Sequence, residues 1–247
     1  MARVDVTVPT ADGDCAATLH LPDGPGRWPA VIMYPDAGGV RGTLLGMADR
    51  LAGLGYAVLL PDVYHRHGPY RPFDVRTAFS DPDERARLLS MAGSVTAAMV
   101  VDDAAALLAF LAGRPEVRGT AVGTTGYCMG GRASLLAAGS HPERVAAAAS
   151  FHGGRLADAD DPDSPFRLAG RMRGTVYVAA AQDDPSCPPE QLQRLETALA
   201  AAGVRHTVET YPAAHGFAVP DNPTYDVDAD QRHWAALQQL YAGALNT

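Results

Sequence analysis

The sequence predicts an α/β fold, a mostly parallel central sheet with helices on both faces. Three observations carry this. Short apolar runs alternate with segments whose apolar residues recur at helical spacing through most of the chain. The runs at 29–34, 56–61 and 175–181 are continuous rather than alternating, as expected of strands covered on both faces. Reactive side-chain types stand directly after several of these runs, at the strand ends where open α/β sheets place their chemistry.

Taken in order, residues 3–8 and 15–21 alternate polar and apolar around Ala-Asp-Gly-Asp, a hairpin signal, and read as an antiparallel pair at one edge of the sheet. The strand at 29–34 ends in Pro35-Asp36-Ala37-Gly38-Gly39, a polar, glycine-rich turn. Thr43 to Leu54 carries Leu44, Met47, Ala48 and Leu51 at helical spacing and stops at Gly55. The strand at 56–61 leads into Asp62-Val63-Tyr64-His65-Arg66 and an irregular stretch, 65–83, long enough to imply a functional loop. Helices follow from Pro82 to about Val95 and over 102–112. Thr120–Thr125 reads as a strand, 132–138 as a helix and Val145–Phe151 as a strand ending at His152. An Asp-rich segment, 155–173, reads as a solvated loop. The strand at 175–181 ends at Gln182-Asp183-Asp184, and a helix runs from Pro188 to Ala202. A strand over 205–211 leads to His215, and an amphipathic helix from Asp226 to Leu245 closes the chain with Trp234, Leu237, Leu240 and Tyr241 facing in. No linker divides this pattern, so residues 1–247 read as a single domain.

Composition narrows the function. The 247 residues are 47% hydrophobic, ample for a core, and carry a net charge of -8, which argues against a nucleic-acid surface. No apolar window approaches the roughly 18 residues of a membrane span, and the N-terminus lacks a signal peptide's apolar core, so neither a membrane partner nor export is expected. The three cysteines, Cys15, Cys128 and Cys187, are sparse and odd in number, which fits free thiols in a reducing cytoplasm. No Walker motif, dinucleotide-binding glycine fingerprint or regular metal-ligand spacing is present, and no cofactor or metal is expected.

The chemistry centres on Gly126-Tyr127-Cys128-Met129-Gly130-Gly131, a G-x-C-x-G turn between a strand and a helix. This is the nucleophile-elbow pattern with cysteine at its centre. The flanking glycines avoid collisions at a strained turn, and the new helix points backbone N–H groups at any anion that forms there. Cys128, then Asp183 or Asp184, then His215 gives the order nucleophile, acid, histidine at successive strand ends. A thiol needs a base, an imidazole can take and return its proton, and a carboxylate orients that imidazole.

At these motifs the chain resembles the dienelactone hydrolase family of the α/β-hydrolase fold. The resemblance covers about Val31 to Phe217. It rests on Gly-Tyr-Cys-Met-Gly-Gly, on Leu-Ala-Gly-Leu-Gly-Tyr-Ala-Val-Leu-Leu-Pro-Asp-Val-Tyr at 51–64, on Asp-Asp-Pro-Ser-Cys-Pro at 183–188 and on His-Gly-Phe at 215–217. It implies a Cys-His-Asp triad of Cys128, His215 and Asp184, the aspartate that matches the family's D-x-x-x-P spacing with Pro188, with Asp183 as second choice. It implies an oxyanion hole from the N–H groups of Met129 and Ala37, and an acidic thiol partner at the early turn, where Asp36 stands in place of the usual Glu. Arg87, or Arg85, matches one of the family's two substrate-binding arginines, while Val219 stands where the second would be. Tyr64, His65, Arg66, Tyr70, Arg132 and His152 are further candidates for pocket contacts, and Cys15 and Cys187 read as packing residues. The implied activity is hydrolysis of a small ester or lactone through a thioacyl-enzyme, in a monomer or homodimer. A thioesterase or general carboxylesterase on the same triad, and a non-catalytic binding protein keeping the fold, are the alternatives.

Overall fold

A computed structural model of the chain describes residues 2–245. Eight strands form one sheet: β1 (Ala2–Thr10), β2 (Gly13–Leu21), β3 (Trp28–Tyr34), β4 (Ala57–Pro61), β5 (Val117–Tyr127), β6 (Val145–Phe151), β7 (Thr175–Ala181) and β8 (His206–Tyr211). Their order is β1-β2-β4-β3-β5-β6-β7-β8. β1 and β2 pair antiparallel at the edge, β2 pairs antiparallel with β4, and every later pairing is parallel.

The pleat sorts the central strands onto two faces. From β3, Ala30, Ile32 and Tyr34 join one core, while Val31 and Met33 join the other. The first core packs against α4 (Ala97–Ala112), α5 (Met129–Ser140) and α6 (Pro189–Ala201), through residues such as Leu107, Leu111, Leu135, Leu195 and Leu199. The second packs against α1 (Gly42–Gly53) and α7 (Val227–Leu245), through Leu44, Leu51, Trp234, Leu237 and Tyr241. This is the sheet with helices on both faces that the alternating pattern predicts. Among the described residues no single helix is long and apolar enough to cross a membrane.

Several boundaries differ from the sequence reading. α4 begins at Ala97, not 102, because the Thr96 hydroxyl accepts the Met99 N–H and supplies a helix start outside the apolar stripe. β5 starts at Val117, three residues early. The stretch 65–83 is not wholly irregular. It holds a short 3₁₀ turn at His65–His67 and the single-turn helix α2 (Val75–Ala78), started by the Asp74 carboxylate on Arg76 N–H, and then enters α3 (Pro82–Ser94). The Asp-rich segment contains a 3₁₀ helix, Pro165–Arg171, and is tied down rather than simply solvated. Asp161 is largely buried and pairs with Arg132 (2.9 Å) and Arg155 (3.3 Å). Leu240 is half-buried where the helical spacing placed it inside.

A third apolar cluster caps the strand ends. Phe73, Ala78 and Leu88 from the 65–94 segment pack on Ala37, with Tyr70, Met91 and Met129 against them. Beneath this cap a buried cation joins distant parts of the chain. Arg41 donates from Nη1 and Nη2 to the two oxygens of Asp36 (2.7 and 2.9 Å), and from Nε and Nη2 to those of Asp221 (2.7 and 2.8 Å). Its side chain is 8% exposed. Burial disfavours the charged guanidinium, but the hydrogen bonds and charges of Asp221 and Asp36 outweigh it and raise its pKa. Removing one member of such a buried group strands the opposite charges. Arg41→Met is therefore expected to lower stability by about 3 kcal/mol, read from the midpoint and slope of urea unfolding. A loss under about 1 kcal/mol would show that the three side chains do not act as a buried unit.

Candidate active site

The turn from β5 into α5 passes through Cys128 at φ 54 and ψ -118, a region that L residues rarely occupy. Close packing explains the glycines around it. A Cβ on Gly126 would lie 1.9 Å from Gly130 O, and one on Gly130 would lie 2.4 Å from both Tyr34 O and Pro35 O. Cys128 N–H donates to Phe151 O (3.1 Å), which ties the elbow to β6. The half-exposed thiol projects into a cavity of about 300 Å³ lined by Asp36, Ala37, Gly38, Val75, Phe79, Cys128, His152, His215 and the segment 222–224.

His215 sits in the loop after β8, which Gln182 N–H joins to the loop after β7 through Ala213 O (2.8 Å). Its Nδ1 lies 2.7 Å from Asp184 Oδ2. The other Asp184 oxygen accepts from Ser186 N–H (2.8 Å) and Ser186 Oγ (2.7 Å), so the carboxylate is fully engaged and almost entirely buried. Burial pushes the Asp184 pKa up, but His215 and Ser186 pull it further down, below the usual carboxylate value. For His215, burial lowers the pKa, while the Asp184 hydrogen bond and the nearby Cys128 side chain raise it to about 10. Asp183 is different. It is exposed, adopts φ 53 and bonds only to Gln182 (3.4 Å). The structure thus brings Cys128, His215 and Asp184 together and leaves Asp183 facing outward.

The two backbone positions expected to hold an oxyanion also meet here. Met129 is the first residue of α5, so its N–H has no acceptor within the helix. Ala37 lines the same cavity. Tyr64, fully buried, touches both segments: its hydroxyl donates to Ala37 O (2.8 Å) and lies 3.4 Å from Met129 Sδ.

Asp36 lines the cavity, but both its oxygens bind Arg41 and Oδ1 also accepts Gly38 N–H (2.9 Å), so the carboxylate shapes its own turn. Arg87 does not line the cavity. It pairs with Glu84 (2.8 Å), donates to Arg71 O (2.9 Å) and stacks 3.7 Å over the Phe73 ring. Val219 is buried in the second core. His65 and Arg66 are occupied by Asp103, and Arg132 by the loop at 155–163. His65 and Tyr70 line a separate, larger cleft of about 600 Å³ against β1 and β2, which contains no Cys128 or His215 atoms. Of the further candidates, His152 alone lines the cavity. Among the described residues no cluster of His, Cys, Asp or Glu is arranged to hold a metal ion.

Sequence reading missed Arg41, Asp221, Ser186 and the cavity wall of Val75, Phe79 and Pro223. Asp36 and Arg41 stand five residues apart in one turn, a visible hint of pairing. Nothing in the chain marks Asp221, which is 180 residues from its partner.

Comparison with known proteins agrees with this layout. The model of the dienelactone hydrolase family matches residues 15–245. A Synechocystis protein provisionally named carboxymethylenebutenolidase is 27% identical over 96% of this chain and 94% of its own length. A similarly named Methylorubrum extorquens protein is 29% identical over 96% of this chain and 79% of its own. The crystal structure of a dienelactone hydrolase-like promiscuous phosphotriesterase from metagenomic libraries superposes with a TM-score of 0.76, at 28% identity over 99% of both chains. A family match running from Cys15 to Leu245, with relatives aligned over nearly the whole length, establishes that this chain belongs to the dienelactone hydrolase family, hydrolases of ester and lactone bonds.

Proposed function

We propose that residues 1–247 form one catalytic domain that hydrolyses a small ester or lactone through a thioacyl-enzyme on Cys128. One observation carries the reading. His215 lines the same cavity as the Cys128 thiol, and its Nδ1 is held 2.7 Å from a buried carboxylate, Asp184. A histidine that merely packed would not need both.

The steps follow from that arrangement. With the shared proton of the Cys128–His215 pair already on the imidazole, Cys128 Sγ attacks the substrate carbonyl carbon. The carbonyl oxygen becomes an oxyanion held by the Met129 and Ala37 N–H groups, donors worth on the order of 3 kcal/mol each in such sites. The C–O bond breaks as His215 returns the proton to the leaving oxygen. Water then attacks the thioester carbonyl while giving a proton to His215, and collapse frees the acid and leaves that proton on the imidazole, as at the start. Asp184 holds the imidazole tautomer and stabilises the imidazolium. No metal or organic cofactor enters these steps. A free thiol nucleophile suits a cytoplasmic setting. Among the described residues the cavity lining contains no Arg or Lys, which favours a general carboxylester or thioester as the second reading over a carboxylate-bearing lactone.

The first test is turnover of a dienelactone, an unactivated lactone, a short p-nitrophenyl ester and an acyl thioester by wild type and Cys128→Ala. Turnover of at least one substrate is expected, falling about a thousandfold or more in the variant. Turnover that survives the substitution would overturn the mechanism.

The thiols give a second test. Burial first, then nearby acids, pushes Cys15 up to about 12, and burial pushes Cys187 up to about 11. Iodoacetamide near neutral pH should therefore modify one cysteine per folded chain, and peptide mass spectrometry should place it at Cys128. Modification of Cys15 or Cys187 at a comparable rate would contradict this assignment.

The acid is tested by Asp184→Asn, expected to lower kcat/KM by about 100-fold or more, with Asp183→Asn close to wild type. The His215 proton, present below a pKa of about 10 and lost above it, should set the alkaline limb of the wild-type profile. Without the Asp184 charge that limb should move to lower pH. An unmoved limb, or a larger loss at Asp183, would remove Asp184 from the triad.

A further inference from the structure

His152 follows β6 directly and is 1% exposed. It adopts φ 39, a conformation non-glycine residues avoid, and its backbone N–H is fixed on Ala179 O (2.8 Å). Its ring meets the His215 and Phe217 rings edge to face, each with centroids 5.0 Å away. Both ring nitrogens are buried, and neither has a hydrogen-bond partner in the protein. Of the described side chains with such unpaired buried atoms (Tyr34, Thr125, Ser150 and His152), only His152 lines the cavity of Cys128. A buried imidazole without partners is tolerated where something outside the fold supplies them.

The chemistry of the ring narrows what that is. Burial, then the charges of His215 and His233, hold the His152 pKa well below the usual histidine value, so the ring is neutral. A neutral imidazole offers one donor and one acceptor and no charge. The rest of the lining adds little competition. Ala37, Val75, Phe79 and Pro223 are apolar, the Asp36 carboxylate is occupied by Arg41, Asn222 Oδ1 accepts Thr224 N–H (3.2 Å), and Thr224 Oγ1 donates to His215 O, which leaves the Asn222 amide nitrogen as the other polar side-chain group beside His152. The reacting carbonyl, on the mechanism above, belongs to the Ala37 and Met129 N–H groups.

We propose that His152 is a specificity-determining residue that hydrogen-bonds an uncharged oxygen of the substrate other than the reacting carbonyl. The site then selects small neutral esters or lactones bearing an ether or hydroxyl oxygen near the scissile bond. This rests on Cys128 being the nucleophile.

The test compares p-nitrophenyl methoxyacetate with p-nitrophenyl butyrate, acyl groups that differ by one oxygen in place of a methylene. Each is measured with wild type, His152→Phe and His152→Gln. Phe keeps a flat ring against His215 and Phe217 but no hydrogen bond, and Gln restores an uncharged donor and acceptor. Taking the ratio of kcat/KM between the two esters cancels the intrinsic reactivity of each. The expected result is a roughly tenfold drop in the methoxyacetate-to-butyrate ratio for His152→Phe, the worth of one neutral hydrogen bond, with partial return in His152→Gln. Equal losses on both esters, or none, would overturn the proposal and mean that the ring only packs or binds water.

A second measurement needs neither turnover nor a new substitution at position 152. In Cys128→Ala labelled with ¹⁵N-histidine, methyl methoxyacetate should shift a His152 ring nitrogen and methyl butyrate should not. No selective shift would overturn the proposal. Failure of the nucleophile assignment looks different: turnover that survives Cys128→Ala.

Discussion

β5 becomes α5 through a single residue held in an unfavourable conformation, and the rest of the site depends on that turn. Cys128 at φ 54 carries a strain of roughly 1–3 kcal/mol. It persists because its surroundings admit no alternative. The missing Cβ of Gly130 lets the start of α5 sit against the carbonyls of Tyr34 and Pro35, at the end of the neighbouring strand. That approach brings the Met129 N–H and the Ala37 turn to one side of the thiol. The same close packing therefore fixes Cys128 together with the Met129 and Ala37 backbone, and Tyr64 links the two segments through Ala37 O and Met129 Sδ.

Charge is arranged just as tightly around this turn. Arg41, between Asp36 and Asp221, joins the end of β3 to the segment that follows His215. Thr43 adds a hydroxyl to Asp221 (2.7 Å), and Thr224 reaches back to His215 O. The cation lies close to the cavity yet is spent on two carboxylates, so its job there is positional. Asp36, one methylene shorter than a glutamate, falls within reach of Arg41 and closes a local turn through Gly38 N–H. Its placement at the cavity follows from the family resemblance, and its five-residue spacing from Arg41 is the only hint of its partner.

What was legible in the sequence and what was not divides along physical lines. The continuous apolar runs gave the parallel strands, because burial on both faces leaves no alternation to misread. The elbow was legible because its glycines answer a local steric demand, and His215 because it follows a clear strand. Asp184 over Asp183 came from the family's spacing rather than from the residues, since two adjacent aspartates look alike until one is buried beside Ser186. The start of α4 was missed because Thr96 caps it with a hydrogen bond that apolar periodicity does not record. Arg87 was placed toward substrate by resemblance, yet Glu84 three residues earlier and the Phe73 ring engage it first. Contacts such as Arg41 with Asp221 join segments far apart and leave no local trace.

The cap shows how pocket shape and the site's backbone donors are joined. α2 is a single turn, too short to be stable alone. It is held by Asp74 at its start and by Ala78 packing into a cluster that includes Ala37 and Leu88. Met129 packs against the same cluster. Val75 and Phe79, at the two ends of this turn, line the cavity directly. The segment that shapes one wall of the cavity therefore also packs on the two residues whose N–H groups are proposed above as oxyanion donors.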